Sequence, residues 1–202
     1  QNHYEMHIDY HVGLHLKDVM KKLELFLAEE EIRGIVIGGS EDAVIRVREM
    51  LPRPAGEKVI GSFSAEMFAG NNEIFEKVKL AIGEFEREKQ KTTVSELLTA
   101  AMKKENAVLG IEDVLNAIQE GRIMKLVFIN EFRDSGYACR KCRYLTRQKV
   151  SPCPYCSGEM EGVGYLVELA AQRTVEMGAL VEVISDNREL SNAGGIGAFL
   201  RF

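Results

Sequence analysis

Ala-Val-Leu-Gly-Ile-Glu-Asp-Val-Leu-Asn-Ala-Ile-Gln-Glu-Gly-Arg-Ile-Met-Lys-Leu-Val-Phe-Ile, residues 107–129, decides the fold class. Ala107-Val-Leu reads as a short strand. Ile111 to Glu120 reads as a helix stopped by Gly121, because glycine alone takes the left-handed backbone that ends a helix without cost. Ile123 to Ile129 is an apolar run of strand length. Strand, helix and strand in alternation imply an α/β arrangement. Downstream, a helix is expected over Val163–Met177 with Gly178 at its end, then a strand over Leu180–Ile184 and a last strand over Ala198–Phe202.

The upstream half repeats the alternation. A long amphipathic helix is expected from about Met6 to Glu31, with Ile8, Val12, Leu16, Val19, Leu23, Phe26 and Leu27 on one apolar stripe. Ile32–Ile37 suits a buried strand closed by Gly38-Gly39, and Ser40 is placed to cap a helix that Pro52 ends. Lys58–Phe63 reads as a second strand, and Asn71 or Asn72 caps the next helix. Its tail, residues 84–91, is charge-dense, and a domain boundary is expected just after it, giving domains 1–91 and 92–202. Thr93 to Glu96 has the Thr-x-x-Glu pattern of a capping box and predicts a new helix there, with Leu97, Leu98, Ala101 and Met102 inward.

All four cysteines stand as Cys139-Arg-Lys-Cys142 and Cys153-Pro-Tyr-Cys156, ten residues apart, inside a hairpin of about residues 137–158. Two facing C-x-x-C turns offer four thiolates to one tetrahedral ion, the donor set of a closed structural Zn²⁺ site. A catalytic zinc keeps one position open to water, and this set would fill all four. With no leader segment and no surplus cysteine, a reducing compartment and free thiols are expected in place of disulfides.

The chain has 202 residues, 46% of them hydrophobic, and a net charge of −5. It can bury a core, and its charge argues against a surface that coats nucleic acid throughout. No run of about 18 apolar residues occurs, so no membrane span is expected. Arg133, Arg140, Lys141, Arg143, Arg147 and Lys149 crowd the hairpin with Asp134 the only acid among them, which makes Arg140, Lys141, Arg143, Arg147 and Lys149 candidates for contact with RNA phosphate or a partner. A solvated hairpin explains the same charges. Tyr137, Tyr144 and Tyr155 are expected to cover the knuckles. His3, His7, His11 and His15 repeat every four residues, but the stripe spans about 18 Å of helix, so at most one adjacent pair could share an ion. Gly38-Gly39-Ser40 lacks the spacing of a phosphate-binding loop, and a tight strand-to-helix turn accounts for it.

Residues 107–121, Lys125-Leu-Val-Phe-Ile129, Glu176-Met-Gly-Ala-Leu-Val-Glu-Val183 and above all Gly194-Gly-Ile-Gly-Ala-Phe-Leu-Arg-Phe202 resemble the C-terminal domain of the archaeal and eukaryotic class I release factor family, which includes pelota. Residues 1–91 resemble the family's middle domain, through Ile35-Val-Ile-Gly-Gly39 and Lys58-Val-Ile-Gly-Ser-Phe63. The resemblance implies two α/β domains, the second an L7Ae-like α/β/α sandwich with an inserted zinc-ribbon hairpin. It implies a cytoplasmic translation termination or ribosome-rescue factor that meets the ribosome, its rRNA and peptidyl-tRNA, and docks a translational GTPase. In the family a Gly-Gly-Gln loop positions water for peptidyl-tRNA hydrolysis, and it precedes the helix with which this chain begins. No Gly-Gly-Gln occurs here: the Gly-Gly pairs are followed by Ser40 and Ile196. The chain is therefore expected to be a fragment that supplies docking surfaces without hydrolase activity.

The competing reading is a stand-alone RNA- or protein-binding L7Ae-like module with a structural zinc ribbon. An enzyme acting on small molecules through the Gly-Gly turns is disfavoured, since no nucleophile or acid/base constellation accompanies them.

Overall fold

The computed structural model describes residues 2–66 and 68–202, with side chains from Tyr10 onward. The chain divides into two compact units, Gln1–Glu88 and Lys89–Phe202. The elements, in order, are α1 (Asn2–Glu29), β1 (Ile35–Gly39), α2 (Glu41–Met50), α3 (Arg53–Gly56), β2 (Val59–Ser64), α4 (Asn71–Met102), β3 (Ala107–Leu109) and α5 (Ile111–Gln119). They continue with β4 (Ile123–Ile129), β5 (Gly136–Cys139), β6 (Leu145–Thr146), β7 (Met160–Val163), α6 (Leu166–Glu176), β8 (Leu180–Ile184), α7 (Arg188–Asn192) and β9 (Ile196–Leu200).

In the first unit β1 and β2 form a parallel pair. A Cβ on Gly38 would stand 2.4 Å from the Phe63 ring, and one on Gly61 would stand 3.1 Å from Ala81 Cβ, so glycine lets α4 approach β2. Ser40 caps α2 as its sequence predicts, accepting from Ala43 N–H at 3.4 Å. On α1, Leu16 and Met20 are buried, whereas Phe26 is 58% exposed and Val19 36% exposed, so the inward stripe is narrower than its period suggests. The side chains of Ile8, His3 and His7 lie outside the described residues.

The second unit is built on a four-stranded sheet of order β3-β9-β4-β8. β9 lies antiparallel between β3 and β4, and β8 pairs parallel with β4. Successive residues of β4 serve opposite faces, as the strand period requires. Leu126 joins a core with Val114, Ile118, Leu166, Val167 and Ile196 under α5 and α6. Val127 joins a second core with Val94 and Leu97 of α4, Ile184, and Leu190 of α7. Helices thus cover both faces. The glycines before β9 have a steric reason: Gly195 has φ 74°, and a Cβ there would stand 2.6 Å from the Phe132 ring.

α4 corrects two expectations, since Met102, expected inward, is 83% exposed at its end and the capping box does not act as one. Thr93–Glu96 starts no helix, because residues 71–102 form one uninterrupted helix. Thr93 is buried, and its hydroxyl donates to Glu182 Oε2 at 3.4 Å, a tertiary contact in place of a cap. The charged run ahead of it contains only good helix formers and nothing that breaks a helix. Gln90 anchors the same stretch: its amide donates to Val183 O and accepts from Ser185 N–H, as a neighbouring strand would, and so dresses the edge of β8.

Candidate metal centre

β5 delivers Cys139 at its last residue, and the chain turns at once through Arg140 and Lys141 to Cys142. Arg143 N–H closes the turn on Cys139 O at 2.9 Å, with Arg143 at φ 62°. The second knuckle copies the first: Ser157 N–H donates to Cys153 O at 2.9 Å, and Ser157 has φ 54°. Cys153 N–H also donates to Gly158 O at 2.9 Å. β7 then pairs with β5, opposing Cys139 to Met160, and fixes both knuckles on one small sheet of order β6-β5-β7.

The four sulfurs lie within 4.8 Å of one another, with Cys139–Cys156 at 3.5 Å and Cys142–Cys153 at 3.6 Å. A tetrahedron with metal–sulfur bonds of about 2.3 Å has edges of about 3.8 Å, so the set fits one ion. These separations exceed the roughly 2.05 Å of a disulfide, and all four cysteines are free. Cys139 and Cys153 are 2% and 1% exposed. Lys141 and Cys142 N–H groups approach Cys139 Sγ at 3.4 and 3.5 Å, the backbone support that thiolate ligands receive.

Without an ion the thiols titrate apart. Cys142 N–H, with help from Lys141 N–H and neighbouring thiols, lowers Cys139 to about 6 against the opposing effect of burial. Burial dominates at Cys142 and pushes it up to about 12. A bound divalent ion would offset that cost and release protons as it takes four thiolates.

The structure changes the setting of the basic residues more than their places. Arg140 is bridged to Glu159 and Glu161 at 3.1 and 2.9 Å, which raises the guanidinium's pKa and holds Glu161 below the usual carboxylate range. Arg143 meets Glu176 at 2.8 Å, and Arg147 meets Asp134 at 3.1 Å and Glu112 at 4.0 Å. Lys141 and Lys149 are exposed. The acids come largely from α5, β7 and α6, which the hairpin sequence does not reveal. The Tyr144 and Tyr155 rings meet at a tilt of 51° with centroids 4.7 Å apart, and Tyr155 is 60% exposed. His11 and His15 are exposed on α1, and the described side chains form no ligand cluster around them.

Sequence reasoning also missed Arg173 and Gly158. Nothing marks Arg173 on an ordinary helix face, but glycine two residues after Cys156 is a legible sign of a tight knuckle. Among the described residues no helix is long and apolar enough to cross a membrane.

A two-faced α/β unit that carries a four-thiol hairpin between strand β4 and helix α6 defines a class of α/β domains with an inserted four-cysteine hairpin. The chain belongs to the archaeo-eukaryotic release factor family: eRF1 domain 3 matches residues 87–202, and bacterial archaeo-eukaryotic release factor family 10 matches residues 1–82. Among solved structures, a chain of ribosome-bound archaeal Pelota and ABCE1 is similar at a TM-score of 0.56 and 18% identity, over 94% of this chain and 49% of its own. S. cerevisiae Dom34, a translation termination-like factor involved in RNA quality control pathways and interacting with Hbs1, is similar at 0.53 and 14% identity, over 93% of this chain and 51% of its own. The C-terminal domain of a peptide chain release factor from Methanosarcina mazei aligns at 0.45 and 19% identity, over 67% of this chain and 97% of its own. At such identities the Pelota and Dom34 structures speak to the fold alone. The chain spans about half the length of the Pelota and Dom34 relatives, at 49% and 51%. No curated protein sequence matches it.

Proposed function

We propose that these residues are the middle and C-terminal domains of a cytoplasmic factor for translation termination or ribosome rescue. The observation that carries this reading is the match of eRF1 domain 3 to residues 87–202, beyond half of the chain. The occurrence of relatives on the ribosome and with Hbs1 supports it. On this reading the second unit is an L7Ae-like sandwich that docks a translational GTPase, and the first belongs to a middle domain that faces peptidyl-tRNA. The quartet Cys139, Cys142, Cys153 and Cys156 holds a structural Zn²⁺ that braces the hairpin, with Arg140, Lys141, Arg143, Arg147 and Lys149 around it as the surface offered to rRNA or partner. Hydrolysis of peptidyl-tRNA depends on a Gly-Gly-Gln loop upstream of these residues, so the 202-residue chain itself acts as a docking body.

The test is capture of GTP-loaded translational GTPases by the immobilised 202-residue chain, run beside a peptidyl-tRNA hydrolysis assay. Retention of a GTPase with no release of peptide is expected. Peptide release by the chain alone would overturn the division of labour, and absence of any GTPase from the bound fraction would count against docking.

A further inference from the structure

We infer that Arg173 of α6 is a positioning residue for the metal centre: it clamps the first knuckle from outside and makes metal affinity depend on α6. Arg173 Nη1 donates to Cys142 O at 3.3 Å and also to Arg143 O. These are the carbonyls of a ligand and of the residue that follows it, at the point where the backbone enters the left-handed region at Arg143, φ 62°. Non-glycine residues hold that conformation only where their surroundings enforce it.

The same turn is gripped a second time. Arg143 Nη1 donates to Glu176 Oε2 at 2.8 Å, and Gln172 Nε2 steadies the other oxygen of Glu176 at 3.1 Å. Gln172, Arg173 and Glu176 lie within five residues on the last turns of α6; Arg173 and Glu176 bind Arg143, and Gln172 supports Glu176. A helix therefore grips the outer side of a turn whose inner side presents two sulfurs. Four thiolates around a divalent ion carry two net negative charges, and the Arg173 guanidinium supplies positive charge at the turn as well as its hydrogen bonds. The other end of α6 belongs to the sandwich core, where Leu166 and Val167 are 0% and 1% exposed. Arg173 thus connects the knuckle to the body of the second unit. By linkage, an ion that orders the knuckle also orders the end of α6.

This inference rests on the quartet holding a metal ion, and the experiment separates the two. Co²⁺ uptake is followed through its thiolate charge-transfer absorption, and Zn²⁺ affinity by competition with a chromophoric chelator. Wild type, Arg173→Met, Arg173→Lys and, as a control at an exposed arginine of α7, Arg188→Met are compared. Arg173→Met keeps the apolar stem and removes the donors, and a loss of roughly ten- to a hundred-fold in Zn²⁺ affinity is expected, the range for outer-shell ligands of metal sites. The Co²⁺ band should broaden or shift, the lysine variant should recover part of the affinity, and the Arg188 variant should match wild type. Relative to wild type, Arg173→Met should lower the melting temperature of the metal-free chain less than that of the Zn²⁺-loaded chain. Equal Zn²⁺ affinity in wild type and Arg173→Met would overturn the clamp while leaving the metal reading intact, and so would a metal-free Arg173→Met chain that loses as much stability as the loaded one. Wild type that takes up neither ion would overturn both.

Discussion

Gly158 has space for hydrogen and little more: a Cβ there would stand 3.1 Å from Cys139 Sγ and 3.2 Å from Cys156 Sγ. Gly158→Ala should therefore push two ligands off the tetrahedron and weaken Zn²⁺ binding roughly ten-fold or more, a size typical of disturbed ligand support; chelator competition measures it, and unchanged affinity would mean that the knuckle yields freely. The thiols themselves predict a pH dependence of the metal-free chain. Cys139 lies at about 6, below its ordinary 9.0, so its contribution to stability is full above pH 9 and is lost as pH falls through 6. Cys142 is raised to about 12, so its contribution is constant below pH 9 and is lost only as pH rises toward 12. The reduced, metal-free chain should thus melt higher at pH 9 than at pH 6 on account of Cys139, and Cys139→Ser should diminish the difference. The four-thiol cluster was legible at this scale, since two C-x-x-C turns bring their sulfurs together locally. The counter-charges were not, because Glu112 and Glu176 reach Arg147 and Arg143 from helices remote in sequence.

At the scale of elements, α4 shows how a local pattern yields to a tertiary contact. Thr-x-x-Glu is a cap only where the chain enters a helix from outside. Here Thr93 hydrogen-bonds Glu182, which also holds Lys125 Nζ at 2.8 Å, while Val94 and Leu97 are 0% exposed against the sheet. Leu97→Ala should destabilise the second unit by about 2–5 kcal/mol, read from urea unfolding, as for other large-to-small changes in packed cores; a cost below about 1 kcal/mol would place this helix outside the core. The strands Ile123–Ile129 and Leu180–Ile184 were legible to the residue, because apolar runs of strand length stood between glycines and polar turns. The last strand was recognised, but its place between β3 and β4 was not, since pairing across about 70–90 residues leaves no mark in a single sequence. α7 escaped notice although Asn187 announces it: its side chain accepts from Leu190 N–H at 2.9 Å.

For the whole molecule, the proposed function turns on charge. On the proposed function, a net charge of −5 and a hairpin whose arginines are matched by carboxylates confine any contact with RNA to a small area. Exposed ion pairs of this kind contribute little each and exchange readily for phosphate. Affinity for the ribosome should then fall only modestly with salt, in proportion to the few phosphates contacted. The most direct measurement is sedimentation of the 202-residue chain, loaded with Zn²⁺, through a sucrose cushion with purified ribosomes at two salt concentrations. The account predicts that it pellets with ribosomes at both salt concentrations, with a modestly smaller share at the higher one. Recovery of the chain in the supernatant at both salt concentrations would contradict it.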